Sequence, residues 1–84
     1  MKEIIVKVRF PEGLHARPAS ELVKQCQGIA SKVTLTKGDV TIDPKSILGI
    51  MSLGAGLGDE LLVRAEGEDE ASAIEDLGRF FTRE

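Results

Sequence analysis

Over the first ten positions apolar residues occupy every second place: Ile4, Val6, Val8 and Phe10 alternate with Glu3, Ile5, Lys7 and Arg9. A period of two predicts a strand with one buried face. Pro11-Glu12-Gly13 breaks the pattern and predicts a loop. From Ala16 to Gln27 the period changes, and Ala19, Leu22, Val23 and Cys26 fall on one face of a helix. Pro18 sits in its first turn, where a missing N–H is harmless, and Gly28 supplies a stop. Alternation returns at Val33 and Leu35, set between Lys32, Thr34 and Thr36. Gly38-Asp39 then predicts a tight hairpin turn, with Val40-Thr41-Ile42 as the returning strand. Asp43-Pro44-Lys45-Ser46 is turn chemistry before a second helix, Ile47 to Leu53, with Ser46 as N-cap and Gly54 as its end. Gly54-Ala55-Gly56-Leu57-Gly58 reads as a flexible loop, and Leu61, Val63 and Ala65 as the inward face of a fourth strand. Asp69 or a neighbour opens a last helix that turns Ala73, Ile74, Leu77, Phe80 and Phe81 to the core. Acids in its first turn and Arg79 and Arg83 near its end suit the helix dipole.

The order is βαββαβα, spread over residues 1–84 as a single domain. The hairpin demands antiparallel pairing of the second and third strands. Three amphipathic helices would cover one face of the sheet and leave the other wet, an α+β arrangement. With three Phe and no Trp or Tyr, the core must be built from Ile, Leu and Val. No apolar run approaches the ~18–20 residues of a membrane span, and the N-terminus lacks the apolar stretch of a secretory signal. Neither membrane insertion nor export is therefore expected. The lone cysteine, Cys26, has no partner for an intramolecular disulfide. It reads as a small core residue of a cytoplasmic protein. A net charge of −3 argues against a nucleic-acid partner. The charge is uneven: lysines gather in the first half, while residues 66–76 are acidic. A mildly basic face near His15 would suit an acidic partner.

His15 is the only histidine, and Arg17 follows it by two residues. It stands immediately before the first helix, where the first-turn N–H groups lack partners. Those donors, from Ala16 and Arg17, and the positive helix end welcome an anion. The same positive end disfavours imidazolium, leaving a neutral ring able to attack. A phosphoryl group on a ring nitrogen would then be held by backbone donors and by the planar fork of Arg17. Ser46 offers a second place for phosphate: a helix start tolerates the roughly −2 charge of a phosphoserine. There the charge would sit within an apolar patch and repel acidic partners. Ile47, Leu48 and Met51 lie on a helix of hardly more than two turns that is apolar nearly all round, so part of its surface should stay exposed for docking. The glycine-rich segment 54–58 precedes a strand and lacks the Lys-Ser/Thr of a phosphate loop, and reads as a mobile connector. Glu66 to Glu70 lacks calcium-loop spacing and reads as a solvated helix start. One His and one Cys make a zinc cluster improbable, and no metal or organic cofactor is implied.

Gly13-Leu14-His15-Ala16-Arg17-Pro18-Ala19 resembles the active-site motif of HPr, the phosphocarrier of the bacterial phosphoenolpyruvate-dependent phosphotransferase system. Lys45-Ser46-Ile47-Leu48-Gly49-Ile50-Met51-Ser52-Leu53-Gly54 resembles that family's regulatory serine segment. The resemblance covers nearly the whole chain. It implies an open-faced β-sandwich with sheet order 1-4-2-3, and a phosphoryl carrier that is a substrate of phosphotransferases rather than an enzyme. It further implies that Nδ1 of His15 is the acceptor, that Enzyme I donates and that IIA components of sugar transport accept. HPr kinase/phosphorylase would modify Ser46. By position, Ser20, Lys24 and Gln27 would line the polar side of a docking face shared with Ile47, Leu48 and Met51. A monomer is expected. Two rival readings are a regulatory paralogue of the nitrogen-related branch, which does not feed sugar transport, and an acyl-carrier-like protein with an arm on Ser46. The alternating strands and the missing Asp-Ser-Leu signature argue against the second.

Overall fold

A computed structural model describes residues 1–82. Seven elements follow the predicted order: β1 (Lys2–Lys7), α1 (Ala16–Gln27), β2 (Lys32–Lys37), β3 (Val40–Ile42), α2 (Ile47–Leu53), β4 (Glu60–Glu66) and α3 (Glu70–Thr82). The four strands form one antiparallel sheet in the order β1-β4-β2-β3. Three helices cover one face of it, so the fold is an open-faced α+β sandwich. On the covered face Val6, Val33, Leu35, Leu61, Val63 and Ala65 are buried. Their neighbours Glu3, Ile5 and Arg64 point the other way and are exposed.

The helices bring Ala19, Leu22 and Cys26 from α1, Ile50 and Leu53 from α2, and Ala73, Leu77, Phe80 and Phe81 from α3. These join the sheet residues in one hydrophobic core, against which Ile74 packs half-buried. Phe10, Phe80 and Phe81 meet as a trio, with Phe10 edge-on to Phe80 at 5.5 Å between ring centroids. No buried polar side-chain atom among the described residues lacks a hydrogen-bond partner.

The β1 ladder stops at Lys7, although the sequence alternation runs on to Phe10. Val8 and Phe10 are still buried, so the side-chain pattern outlasts the pairing. Val8 bonds instead to the turn before β4: its N–H donates to the Asp59 carbonyl at 2.9 Å and its carbonyl accepts from Gly58 at 2.8 Å. The β2–β3 turn has φ of +57° at Gly38 and no positive φ at Asp39, as in a two-residue hairpin with glycine first. Gly28 ends α1 without turning left-handed (φ −85°); its N–H reaches the Gln25 carbonyl at 3.2 Å, a tightened last turn. Gly54, by contrast, closes α2 in the left-handed conformation.

Two segments are more firmly held than their composition suggests. The 54–58 loop is no loose connector, because Ala55 is buried and its carbonyl accepts from Leu14 at 2.9 Å. The acidic stretch at 66–70 is more than a solvated helix start. Asp69 takes the N–H groups of Ala30 (2.9 Å) and Ser31 (2.8 Å) and also the Ser31 hydroxyl. Those hydrogen bonds hold its carboxyl below the usual carboxylate range. Asp69 thereby fastens the start of α3 to the α1–β2 connection. Arg83, expected near the end of α3, lies outside the described residues.

Candidate functional site

His15 is the N-cap residue of α1, with extended backbone (φ −85°, ψ −173°). Its carbonyl accepts the Ala19 N–H at 2.8 Å, but its imidazole makes no capping bond. Pro18 has no N–H, so the next donors back, Ala16 and Arg17, start the helix with no acceptor among the described residues. His15, Ala16 and Arg17 are all exposed. Arg17 has no ion pair among the described residues. The result is an accessible ring, two open backbone donors and a guanidinium within three consecutive residues. Such a set can hold a tetrahedral anion without enclosing it.

The backbone just before His15 explains its placement. Gly13 has φ of +75° and lies so close to the 54–58 loop that a Cβ there would stand 2.5 Å from the Ala55 carbonyl oxygen. Leu14 is buried, and its N–H donates to that same oxygen. His15 therefore leaves a segment anchored from below and points outward at the mouth of α1. The anchoring loop is itself tied. Asp59 Oδ2 accepts from Gly56 N–H at 2.8 Å and pairs with Lys37 Nζ at 3.1 Å, while Lys37 Nζ also reaches the Gly54 carbonyl at 2.9 Å. The Gly56 hydrogen bond first, and Lys37 second, hold the Asp59 carboxyl below its ordinary range. Sequence reasoning missed Gly13, Ala55, Lys37 and Asp59. Gly13 carried a signal as a glycine two residues before the only histidine; a surface Lys-Asp pair 22 positions apart carries none.

Beside this site an open depression of about 630 Å³ is lined by Phe10, Pro11, Glu12, Gly13, Arg17 and Pro18, together with Glu21. His15 is not among its lining residues. Its walls carry both carboxylates and a guanidinium, so it is no anion well.

Ser46 is exposed and caps α2, accepting from Gly49 N–H at 3.2 Å. Lys45 reaches back from this turn to the Ile29 carbonyl at 2.9 Å, joining the start of α2 to the end of α1. Ile47 and Met51 are exposed by about two-fifths (41% and 42%) and Leu48 by 77%. On α1, Ser20, Lys24 and Gln27 are exposed at the i, i+4, i+7 spacing of one stripe. Cys26 is fully buried, and burial pushes its thiol up to about 12. Among the described residues no group of three or more His, Cys, Asp or Glu stands ready for a metal ion, and no helix is long and apolar enough to cross a membrane.

A family model described as the PTS HPr component phosphorylation site matches residues 2–83. The chain belongs to the HPr family. Among HPr relatives, it is 38% identical to the phosphocarrier protein HPr of Treponema pallidum (strain Nichols) over 90% of this chain and 86% of that protein. To the HPr-like protein Crh of Bacillus subtilis (strain 168) it is 40% identical, over 94% of this chain and 93% of the relative. The crystal structure of HPr from Bacillus anthracis str. Ames superposes with a TM-score of 0.92 at 33% identity, covering 96% of each chain. A crystal form of Crh described as a domain-swapped dimer matches at 0.77, with 40% identity over 96% of this chain and 93% of that one. HPr-family members thus share the sheet order found here, and the acyl-carrier reading is set aside.

Proposed function

We propose that this protein is a phosphocarrier of the phosphotransferase system, and that His15 carries the group. In this reading the lone pair of the ring Nδ1 attacks phosphorus on phospho-Enzyme I. The new N–P bond forms as the bond to the donor atom breaks, and the reverse exchange delivers the group to a IIA component. The Ala16 and Arg17 N–H groups and the Arg17 guanidinium take the phosphoryl oxygens throughout. The observation that carries the proposal is the exposed imidazole of His15, which leaves the first amides of α1 uncapped. An open cradle of this kind holds phosphate moderately, which a carrier needs if it is to let go. Ser20, Lys24 and Gln27 with Ile47, Leu48 and Met51 form the docking face for these partners. The protein is a substrate of phosphotransferases, acting as a cytoplasmic monomer.

The test is incubation with labelled phosphoenolpyruvate and Enzyme I. Acid-labile label is expected on the wild type and none on His15→Ala; label on both moves the acceptor elsewhere. A second reading, a regulatory paralogue of the nitrogen-branch kind that does not feed sugar transport, gains support from the 40% identity to the HPr-like protein Crh; regulation at the exposed Ser46 is compatible with either reading. Phosphorylation of Ser46 by a kinase of the HPr kinase/phosphorylase kind would place charge beside Ile47 and hinder docking. Transfer from the labelled chain to IIA components separates the two: a sugar-branch carrier discharges to them, and a purely regulatory protein keeps its label.

A further inference from the structure

The 54–59 loop forms the floor under the His15 segment, and one side chain ties that floor together. Asp59 Oδ2 holds the Gly56 N–H and the Lys37 ammonium, and Lys37 in turn holds the Gly54 carbonyl. The Asp59 backbone adds to the knot: its N–H donates to the Gly56 carbonyl at 3.0 Å and its carbonyl accepts from Val8 at 2.9 Å. Ala55 stands between the two tied points, Gly54 and Gly56, and its carbonyl carries the Leu14 N–H. Leu14 directly precedes His15. We infer that Asp59 and Lys37 are positioning residues for phosphoryl transfer: they fix the Ala55 carbonyl and, through the Leu14 amide, the height and direction of the His15 ring.

This inference rests on His15 being the acceptor. Its physical basis is the glycine content of the loop. Gly54, Gly56 and Gly58 give the backbone more freedom than other residues would, so an untied loop would wander. Transfer needs nitrogen, phosphorus and leaving atom near a line, and a misplacement of about 1 Å can cost up to ~100-fold in rate. Asp59 and Lys37 are each more than one-third exposed, so truncating them opens no core cavity.

The test compares Asp59→Ala, Asp59→Asn, Lys37→Met and the distant control Asp69→Asn as substrates of Enzyme I. The Asp59→Ala chain is expected to lose about tenfold in turnover, with KM for the chain unchanged. Asp59→Asn keeps an oxygen for Gly56 N–H and recovers most of the loss. Hydrogen exchange at the Leu14 amide speeds up in Asp59→Ala and not in the control. Turnover equal to wild type, or a loss shared equally by Asp69→Asn, overturns the inference. Should Asp59→Ala fail to fold, Lys37→Met decides: reduced turnover at unchanged KM supports positioning, and unchanged turnover refutes it. His15→Ala keeps the two levels apart. If that variant is still labelled, the acceptor reading falls; if it is silent while Asp59→Ala and Lys37→Met transfer normally, only the positioning role falls.

Discussion

Replacing Gly13 with alanine loads two separable costs onto the site. The first is conformational, since φ of +75° is a region that side chains avoid at a cost of about 1–2 kcal/mol. The second is overlap. The new Cβ would lie 2.5 Å from the Ala55 oxygen and 2.8 Å from Gly56 Cα, both backbone atoms with no flexible end to swing away. Restoring an ordinary contact of 3.4 Å moves the oxygen back by about 0.9 Å. That same oxygen accepts from Leu14 at 2.9 Å, so the retreat breaks a buried hydrogen bond. Losing it costs about 1–3 kcal/mol, for a total of about 2–5 kcal/mol. A chain of 84 residues is expected to be stable by about 4–12 kcal/mol, so the loss takes between about a sixth and all of that stability. Gly54→Ala provides the control: φ is +65° there, with nothing within 4 Å of the added Cβ, so only the conformational cost applies. Urea unfolding of wild type, Gly13→Ala and Gly54→Ala measures the difference, and phosphoryl uptake from Enzyme I measures its effect on His15. The reasoning is refuted if Gly13→Ala is no less stable than Gly54→Ala.

Three further outcomes can be checked in the same way. The Asp69 carboxyl is held below its ordinary range by Ser31 and Ala30, so its contribution to stability is complete above the unfolded carboxylate value and is lost as pH falls through the lower, folded value. Asp69→Asn should therefore flatten the acid limb of a urea-midpoint-against-pH curve; an unchanged limb would place the acid sensitivity elsewhere. Cys26 should resist a thiol reagent in the folded protein and react at once in urea, because its thiol is buried and pushed up to about 12. Rapid native labelling would show that the core opens around α1. Leu48→Asp touches a side chain 77% exposed, so stability should move by no more than about 0.5 kcal/mol while KM with Enzyme I rises. An unchanged KM would remove Leu48 from the docking face.

What the sequence displayed and what it concealed divide along a physical line. Period-two and period-3.6 patterns located β1, α1, β2, β4 and α3, since burial of one face leaves its mark residue by residue, whereas β3 and α2 were placed by the turn and cap residues beside them. Ser46, Gly54 and the Gly38-Asp39 turn set boundaries because cap and turn chemistry is local. His15 stood out for the same reason, as a reactive type at a recognisable helix start. The loops were harder to read. Glycines at 54, 56 and 58 signal freedom, but the restraint on them comes from Lys37 and Asp59, 22 positions apart, through contacts that leave no periodic trace. Asp69 is similar: its partners Ala30 and Ser31 lie 39 and 38 positions away. The order of the sheet followed from the family resemblance, because alternation says which face is inward and not which strand is next.

The two helix starts on this surface use the same resource in opposite ways. At α2 the Ser46 hydroxyl accepts from Gly49, so one first-turn donor is already engaged by the side chain. At α1 the His15 ring makes no such bond, and the amides of Ala16 and Arg17 remain open. An uncapped start costs α1 stability, of the order of ~1 kcal/mol relative to a Ser or Asp cap. That cost is offset by tertiary anchoring: Ala19, Leu22 and Cys26 bury one face of α1, and Leu14 is sealed beneath its mouth. The difference bears on what phosphate would do at each place. On His15 it would meet donors that no described protein group engages, and the group would gain stabilisation while staying exposed for transfer. On Ser46 it would arrive where one donor is already engaged, on a side chain fixed by the fold and beside an apolar surface. Its chief effect would be on partners approaching that surface. A group meant to leave again is therefore better suited to the first site, and a group meant to repel to the second.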